Sequence, residues 1–258
     1  MRSVRSRLEL IALDAFPLVC PGDDLCELIL GSLQKNKLDL QSGDVLVLAQ
    51  KIVSKAEDRY VRLADVTPSE EAIELAQQAH KDPRQTELIL RESSAVLRVR
   101  PGVIIVEHQN GYVHANAGMD KSNIRNDIND PRVLLLPQDP DASARQLRND
   151  LQAAVGIAPQ IIINDSFGRA WRNGTVGVCI GSAGLQPLYN QVGEEDMFGN
   201  ILEVTEAAVA DELAAAASLL MGQGAEGRPV VLVRGASIPV FEGGCETLIR
   251  DKSMDMFR

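Results

Sequence analysis

No stretch of the chain approaches the roughly 20 consecutive apolar residues that a membrane-crossing helix needs. The basic N-terminal segment, residues 1–7, runs into only a short apolar stretch interrupted by Glu9 and Asp14, so neither a spanning helix nor a signal peptide is expected. CxxC spacing is missing among Cys20, Cys26, Cys179 and Cys245, which argues against a zinc site and for reduced thiols in a cytoplasmic protein. Basic residues are in deficit, 26 Lys and Arg against 36 Asp and Glu, for a formal net charge of −10. Nucleic-acid binding normally rests on clustered cations that neutralise phosphates, and that class is set aside. The same deficit means that anionic substrates would need bound cations or a few well-placed bases. A GxxxxGK[ST] motif is absent, so a P-loop is excluded. No nucleophile elbow surrounds a serine, and His80, His108 and His114 have no visible serine or cysteine partner, which leaves them as surface or strand-packing residues.

What remains is a chain of 258 residues, 45% hydrophobic and 24% charged, ordinary values for a folded enzyme with a sizeable core. One domain over residues 1–258 or two tightly packed lobes both fit that length. Pro21-Gly22 turns into a helix that Asp23 or Asp24 can cap, with Leu25, Leu28, Ile29 and Leu33 as its buried stripe. Val45 to Ala49 reads as a buried strand, and Thr67-Pro68-Ser69-Glu70-Glu71 as a helix start; Pro83 ends that helix or restarts another. Val103–Val106 and Tyr112–Ala115, joined by Asn110-Gly111, predict a hairpin that delivers Asn116-Ala117-Gly118-Met119-Asp120. An amphipathic helix is expected over 142–155, a buried strand over 160–163 that stops at Asn164-Asp165-Ser166, an Ala-rich helix over 203–221, and a last strand over 229–234. Hairpins and irregularly ordered helices favour an α+β fold with mixed or antiparallel sheets.

Residues 222–227 fit GxGxxG, yet a helix precedes them and a strand follows, the reverse of the dinucleotide-binding order. They read instead as a helix C-cap and turn, or as a Gly-rich loop whose amides approach phosphates. The informative pattern is carboxylates at strand exits. Asp120 and Asp165 each follow an apolar run, and two such acids with substrate phosphates and water suffice to hold Mg²⁺. Taken singly, each is an ordinary turn residue. Lys55, after the first buried strand, is placed to meet phosphate oxygens as a point charge, or is a solvated lysine.

Taken together and in order, several stretches resemble the F420-0:gamma-glutamyl ligase family: Phe16-Pro17-Leu18-Val19 before Gly22-Asp23-Asp24-Leu25, Gly43 to Leu48, and Ile52-Val53-Ser54-Lys55-Ala56-Glu57. Asn116-Ala117-Gly118-Met119-Asp120 with Ser122-Asn123, Leu134 to Pro137 with Asp139-Pro140-Asp141, and Asp165-Ser166 with Gly168-Arg169 continue the likeness. Arg172, Gly174, Gly177 and Leu220-Met221-Gly222 complete it. The resemblance implies an intertwined homodimer of family-specific fold that adds L-glutamate to the deazaflavin coenzyme F420-0 using GTP, Mg²⁺ or Mn²⁺, and K⁺. It also implies roles: Phe16, Pro17, Leu18, Val19, Gln50, Lys51, Lys55, Asn123, Met221, Gly222, Gln223, Gly224, Ala225, Glu226, Gly227 and Arg228 around the nucleotide. Asp120, Asp165, Ser166 and Gln223 would hold metal, Lys55 would act with the two aspartates in catalysis, and Arg169 and Arg172 would meet a substrate anion. Departures from the family pattern are Asp58 for Gly, Ser166 for Thr, and Gln223 where some relatives carry Glu. No appended nitroreductase-like domain is expected. The alternatives are another amide ligase on the same scaffold and a non-catalytic nucleotide-binding dimer.

Overall fold

The computed structural model describes residues 7–256. In chain order the elements are β1 (Glu9–Ala12), α1 (Leu25–Lys35), β2 (Val45–Ala49), α2 (Gln50–Ala56), β3 (Tyr60–Arg62), α3 (Glu70–Ala79), α4 (Pro83–Arg91), β4 (Ser93–Arg100), β5 (Val103–His108) and β6 (Val113–Ala115). They continue with β7 (Arg132–Leu134), α5 (Pro140–Val155), β8 (Gln160–Arg169), β9 (Arg172–Ala183), β10 (Tyr189–Asn190), β11 (Glu206–Ala207), α6 (Val209–Met221) and β12 (Val230–Arg234). The class is mixed α+β, as the sequence suggests.

A five-stranded sheet in the order β1-β12-β2-β8-β9 forms the main body. β2 and β8 run parallel, and the other neighbours are antiparallel. Its central strands are apolar at every position because both faces are covered. Leu46, Leu48, Ile161, Ile163, Val230 and Leu232 point into a core closed by α1 and α5. Val45, Val47, Ile162, Val231 and Val233 point to the opposite side, where Ala210, Ala214 and Ala217 let α6 lie close. Each fully buried Leu or Ile of this kind contributes on the order of 1.5–3 kcal/mol, which makes the sheet a rigid base. A smaller sheet, β4-β5-β6, carries α3 and α4 over Ile104 and Val106, and the β3–β7 pair links the two bodies through Leu63, Leu88, Val133 and Leu135.

The helix signals act as local chemistry dictates. Asp24 accepts from the Cys26 and Glu27 amides at 2.8 and 3.2 Å, and Ser69 accepts from the Ala72 amide. Asp82 caps α4, which restarts at Pro83 after His80 ends α3 in a left-handed conformation. Two boundaries differ from expectation. The strand from Gln160 does not stop at Asn164; it continues to Arg169 because β9 pairs with it along its length. The final helix starts at Val209, since residues 206 and 207 pair with β10. None of the helices among the described residues is long and apolar enough to cross a membrane.

Candidate active site

A cleft of about 340 Å³ opens where β2 passes directly into α2, beside the middle of β8 and the end of α6. That size suits a small-molecule site. The 16–19 segment closes one side and the loop after α6 the other. That loop begins at Gly222, whose φ of +73 only glycine adopts readily and whose added Cβ would lie 2.1 Å from the Glu226 side chain. Glu226 turns back to accept from the Gly224 amide at 2.8 Å, so its carboxylate braces the loop.

α2 supplies the polar floor. Ser54 donates to Gln50 Oε1 at 2.9 Å, which orients the Gln50 amide so that Nε2 donates to Asp120 Oδ2 at 2.7 Å. Lys51 Nζ lies 2.8 Å from that same oxygen. Asp120 is fixed from its own side by a backbone bridge to Leu134. Burial is the main force on its carboxyl and raises its pKa above the usual range; Lys51 opposes the shift, and the charge of Asp165 adds to it. Asp165 is held in turn by His114, whose Nε2 lies 2.9 Å from Oδ2, with the Phe167 ring edge-on to the imidazole at 4.0 Å. Beside it, Ser166 Oγ donates to Gln223 Oε1 at 3.0 Å. Lys55 Nζ donates to the Asn123 carbonyl at 2.7 Å, and Asn123 Nδ2 donates to the Gly224 carbonyl at 2.9 Å, tying α2 and the 121–132 segment to the Gly-rich loop. Burial, then the charge of Lys51, lowers the Lys55 pKa.

Nearly all of the expected nucleotide-side residues therefore converge. Phe16 to Val19, Gln50, Lys51, Lys55, Asn123, Met221 to Ala225, Gly227 and Arg228 line the cleft, as do Asp165 and Ser166. Asp120 sits one contact behind Gln50 and Lys51. Glu226 is occupied with its own loop. Arg169 and Arg172 are paired at the far tip of the β8–β9 hairpin, away from the cleft lining. Neither aspartate stands simply at a strand exit: Asp165 lies inside β8, and Asp120 follows a short 3-10 turn. His114, set aside on sequence as a packing residue, is the one that grips Asp165; the two are 51 positions apart, and only the β6–β8 contact joins them.

The oxygen donors here are hard, two carboxylates with a hydroxyl and an amide oxygen nearby, the chemistry that Mg²⁺ or Mn²⁺ favours. A buried Asp120 whose charge is disfavoured by burial and by Asp165 is relieved by a cation. Among the described residues no three His, Cys, Asp or Glu side chains are grouped to hold an ion alone, so an ion would need oxygens from a substrate as well.

The profile of the F420-0:gamma-glutamyl ligase family matches residues 15–235. The chain belongs to this family. It is 45% identical to the coenzyme F420:L-glutamate ligase of Methanothermobacter thermautotrophicus, over 97% of this chain and 99% of that protein. The protein of the same name from Methanopyrus kandleri is 45% identical over 93% of both chains, and that from Archaeoglobus fulgidus 39% identical over 98% of this chain and 97% of its own. The family match takes in all the cleft residues of this F420-0:gamma-glutamyl ligase family member, and the hairpin tip as well.

Proposed function

We propose that this chain is a coenzyme F420:L-glutamate ligase that activates the terminal carboxylate of F420-0 with GTP and couples it to the amine of L-glutamate. The observation that carries the reading is the convergence of Asp120, Asp165, Lys51 and Lys55 on one cleft roofed by a Gly-rich loop. A free carboxylate is a poor acyl donor. In the reaction, one carboxylate oxygen attacks the γ-phosphorus of GTP, the bond to the β-phosphate oxygen breaks, and GDP leaves. The glutamate nitrogen then attacks the acyl carbon, phosphate departs with the former carboxylate oxygen, and the amine gives up a proton. Repetition on the γ-carboxylate would lengthen the tail.

Each part of the cleft has a task. The 222–227 backbone offers amides for the phosphates, and Phe16 and Val19 offer apolar surface for the base. Lys55 places positive charge beside the transferring phosphoryl group, and its bond to the Asn123 carbonyl holds it there. Asp120 and Asp165, with Ser166 and Gln223, would hold Mg²⁺ or Mn²⁺. Such an ion supplies charge neutralisation on the triphosphate, and the proposal extends to K⁺ as a monovalent helper. Gln50, Lys51 and His114 keep the two carboxylates aimed in the meantime. A homodimer in the cytoplasm belongs to the same reading, and exposed Met197, Phe198 and Val204 offer apolar surface for a second copy.

The test is direct. Purified protein is incubated with GTP, Mg²⁺ or Mn²⁺, L-glutamate and F420-0, and products are weighed by mass spectrometry. Glutamyl adducts with stoichiometric GDP are expected. Folded protein that yields no adduct with any nucleotide removes the ligase reading.

A further inference from the structure

The β8–β9 hairpin carries the one tryptophan of the chain, Trp171, at its tip, and it is 85% exposed. Its φ is +56, and it occupies the third position of the four-residue turn Arg169–Arg172, where Gly or Asn is the usual choice. A bulky residue in the left-handed region is uncommon and costs stability. Exposing an indole to water gains nothing for the fold either. Both features point to a ligand. Arg169 and Arg172 flank the ring in paired register, and Arg169 Nη2 is steadied by the Asn173 carbonyl at 3.1 Å. Residues 167–177 contain no carboxylate, although Asp and Glu outnumber Lys and Arg by 36 to 26 in the chain. The tip is thus a local cationic spot around a flat apolar ring.

Its place on β8 sets the dimensions of what it binds. Asp165, at the cleft, and Arg169, at the tip, are four residues apart on one strand, about 13 Å at the usual strand rise. A molecule whose reacting carboxylate sits beside Asp165 reaches this tip only if a long tether follows the carboxylate. An indole face selects a planar aromatic ring, and guanidiniums beside it select an anion on the tether near that ring. We propose that Trp171, Arg169 and Arg172 form the recognition site for the ring end of the acyl-acceptor substrate: Trp171 stacks on the deazaflavin and the two arginines pair with its anionic tether. This rests on the ligase reading above and adds to it the residues that select the substrate.

Because Trp171 is the only tryptophan, its emission reports on this tip alone. The intact protein is titrated with F420-0 in the absence of GTP and glutamate, so that nothing turns over. Saturable quenching is expected, with a midpoint near the KM for F420-0 measured in the coupled reaction. Trp171→Ala raises that KM roughly 5- to 100-fold, the range for loss of one aromatic stack, and leaves the KM for GTP unchanged; Trp171→Phe recovers part of the loss. Arg172→Gln raises the KM for F420-0 but not for a deazaflavin with an uncharged tether. Unchanged emission at concentrations that saturate turnover overturns the proposal, as does an unchanged KM in Trp171→Ala. So does a Trp171→Ala protein that sediments as a smaller species and regains wild-type KM at high protein concentration, because Trp171 is then a contact between copies. Quenching without turnover under any condition keeps the binding site and removes the ligase reading, whereas the absence of both removes both.

Discussion

Replacing Asp120 by Asn separates what this residue does for the fold from what it does for chemistry. Its Oδ2 takes Lys51 at 2.8 Å and Gln50 at 2.7 Å, with the two charged side chains 27% and 22% exposed. An asparagine oxygen keeps both contacts and loses the ionic part of one, a change of about 1 kcal/mol for a pair this accessible. Against that stands burial. Because the folded chain raises the Asp120 pKa, it holds the proton more tightly than the unfolded chain does. Stability therefore declines as pH climbs from the ordinary carboxylate range through the raised value, and at neutral pH the cost is fully present. The neutral amide removes it. The two effects oppose each other, so Tm at neutral pH should move by no more than roughly 2–4 °C, the equivalent of about 1 kcal/mol in a chain of this size. Turnover is another matter, because the carboxylate supplies charge that the amide cannot; a loss on the order of 10²–10³-fold in kcat is expected. The assays are thermal unfolding followed by circular dichroism and GDP release under saturating substrates. Wild-type turnover in both Asp120→Asn and Asp165→Asn would refute the reasoning, and so would a fall in Tm large enough to explain the lost activity.

Further outcomes follow from other contacts. Gly177→Ala places a Cβ 2.2 Å from Ser218 Oγ and 2.4 Å from the Ala214 carbonyl, so overpacking costs about 1–3 kcal/mol; denaturant unfolding should show this, and adding Ser218→Ala should not fully reverse it because the Ala214 carbonyl stays. Asp44→Ala strands Arg234, whose Nε and Nη2 donate to the buried carboxylate at 2.9 and 2.7 Å, and should cost about 3–5 kcal/mol by the same measurement with little change in KM. His114→Ala frees the Asp165 carboxylate and should weaken Mn²⁺ affinity, read by titration calorimetry, roughly 10- to 100-fold; unchanged affinity would remove its positioning role. Burial lowers the Lys55 pKa, so its charge is present below that value and lost as pH rises through it, before an ordinary lysine would titrate. Nucleotide affinity should fall over that alkaline interval in the wild type and stay flat in Lys55→Arg.

The parts of the fold legible in the sequence were those fixed by local rules. Asp24, Ser69 and Asp82 cap helices where their side chains meet the first amides, and the runs at Val45, Ile161 and Val230 are strands because two layers bury them. β9 was not legible. Gly174, Gly177 and Gly181 break its apolar pattern, and Gly177 and Gly181 are there because Ala214 and Pro140 come too close for a Cβ. Its absence from the reading also cut β8 short and put Asp165 at an exit rather than inside a strand. In the site, family likeness placed the cleft residues, but no local rule joins His114 to Asp165 or turns Glu226 back on its own loop; both depend on pairing between distant segments.

The account stands on the cleft moving a phosphoryl group onto a carboxylate before the amide forms. F420-0 labelled with heavy oxygen in its terminal carboxylate, turned over with GTP and L-glutamate, decides this by mass spectrometry of the released phosphate. One labelled oxygen per phosphate is the predicted result. Unlabelled phosphate alongside full glutamyl product would contradict it.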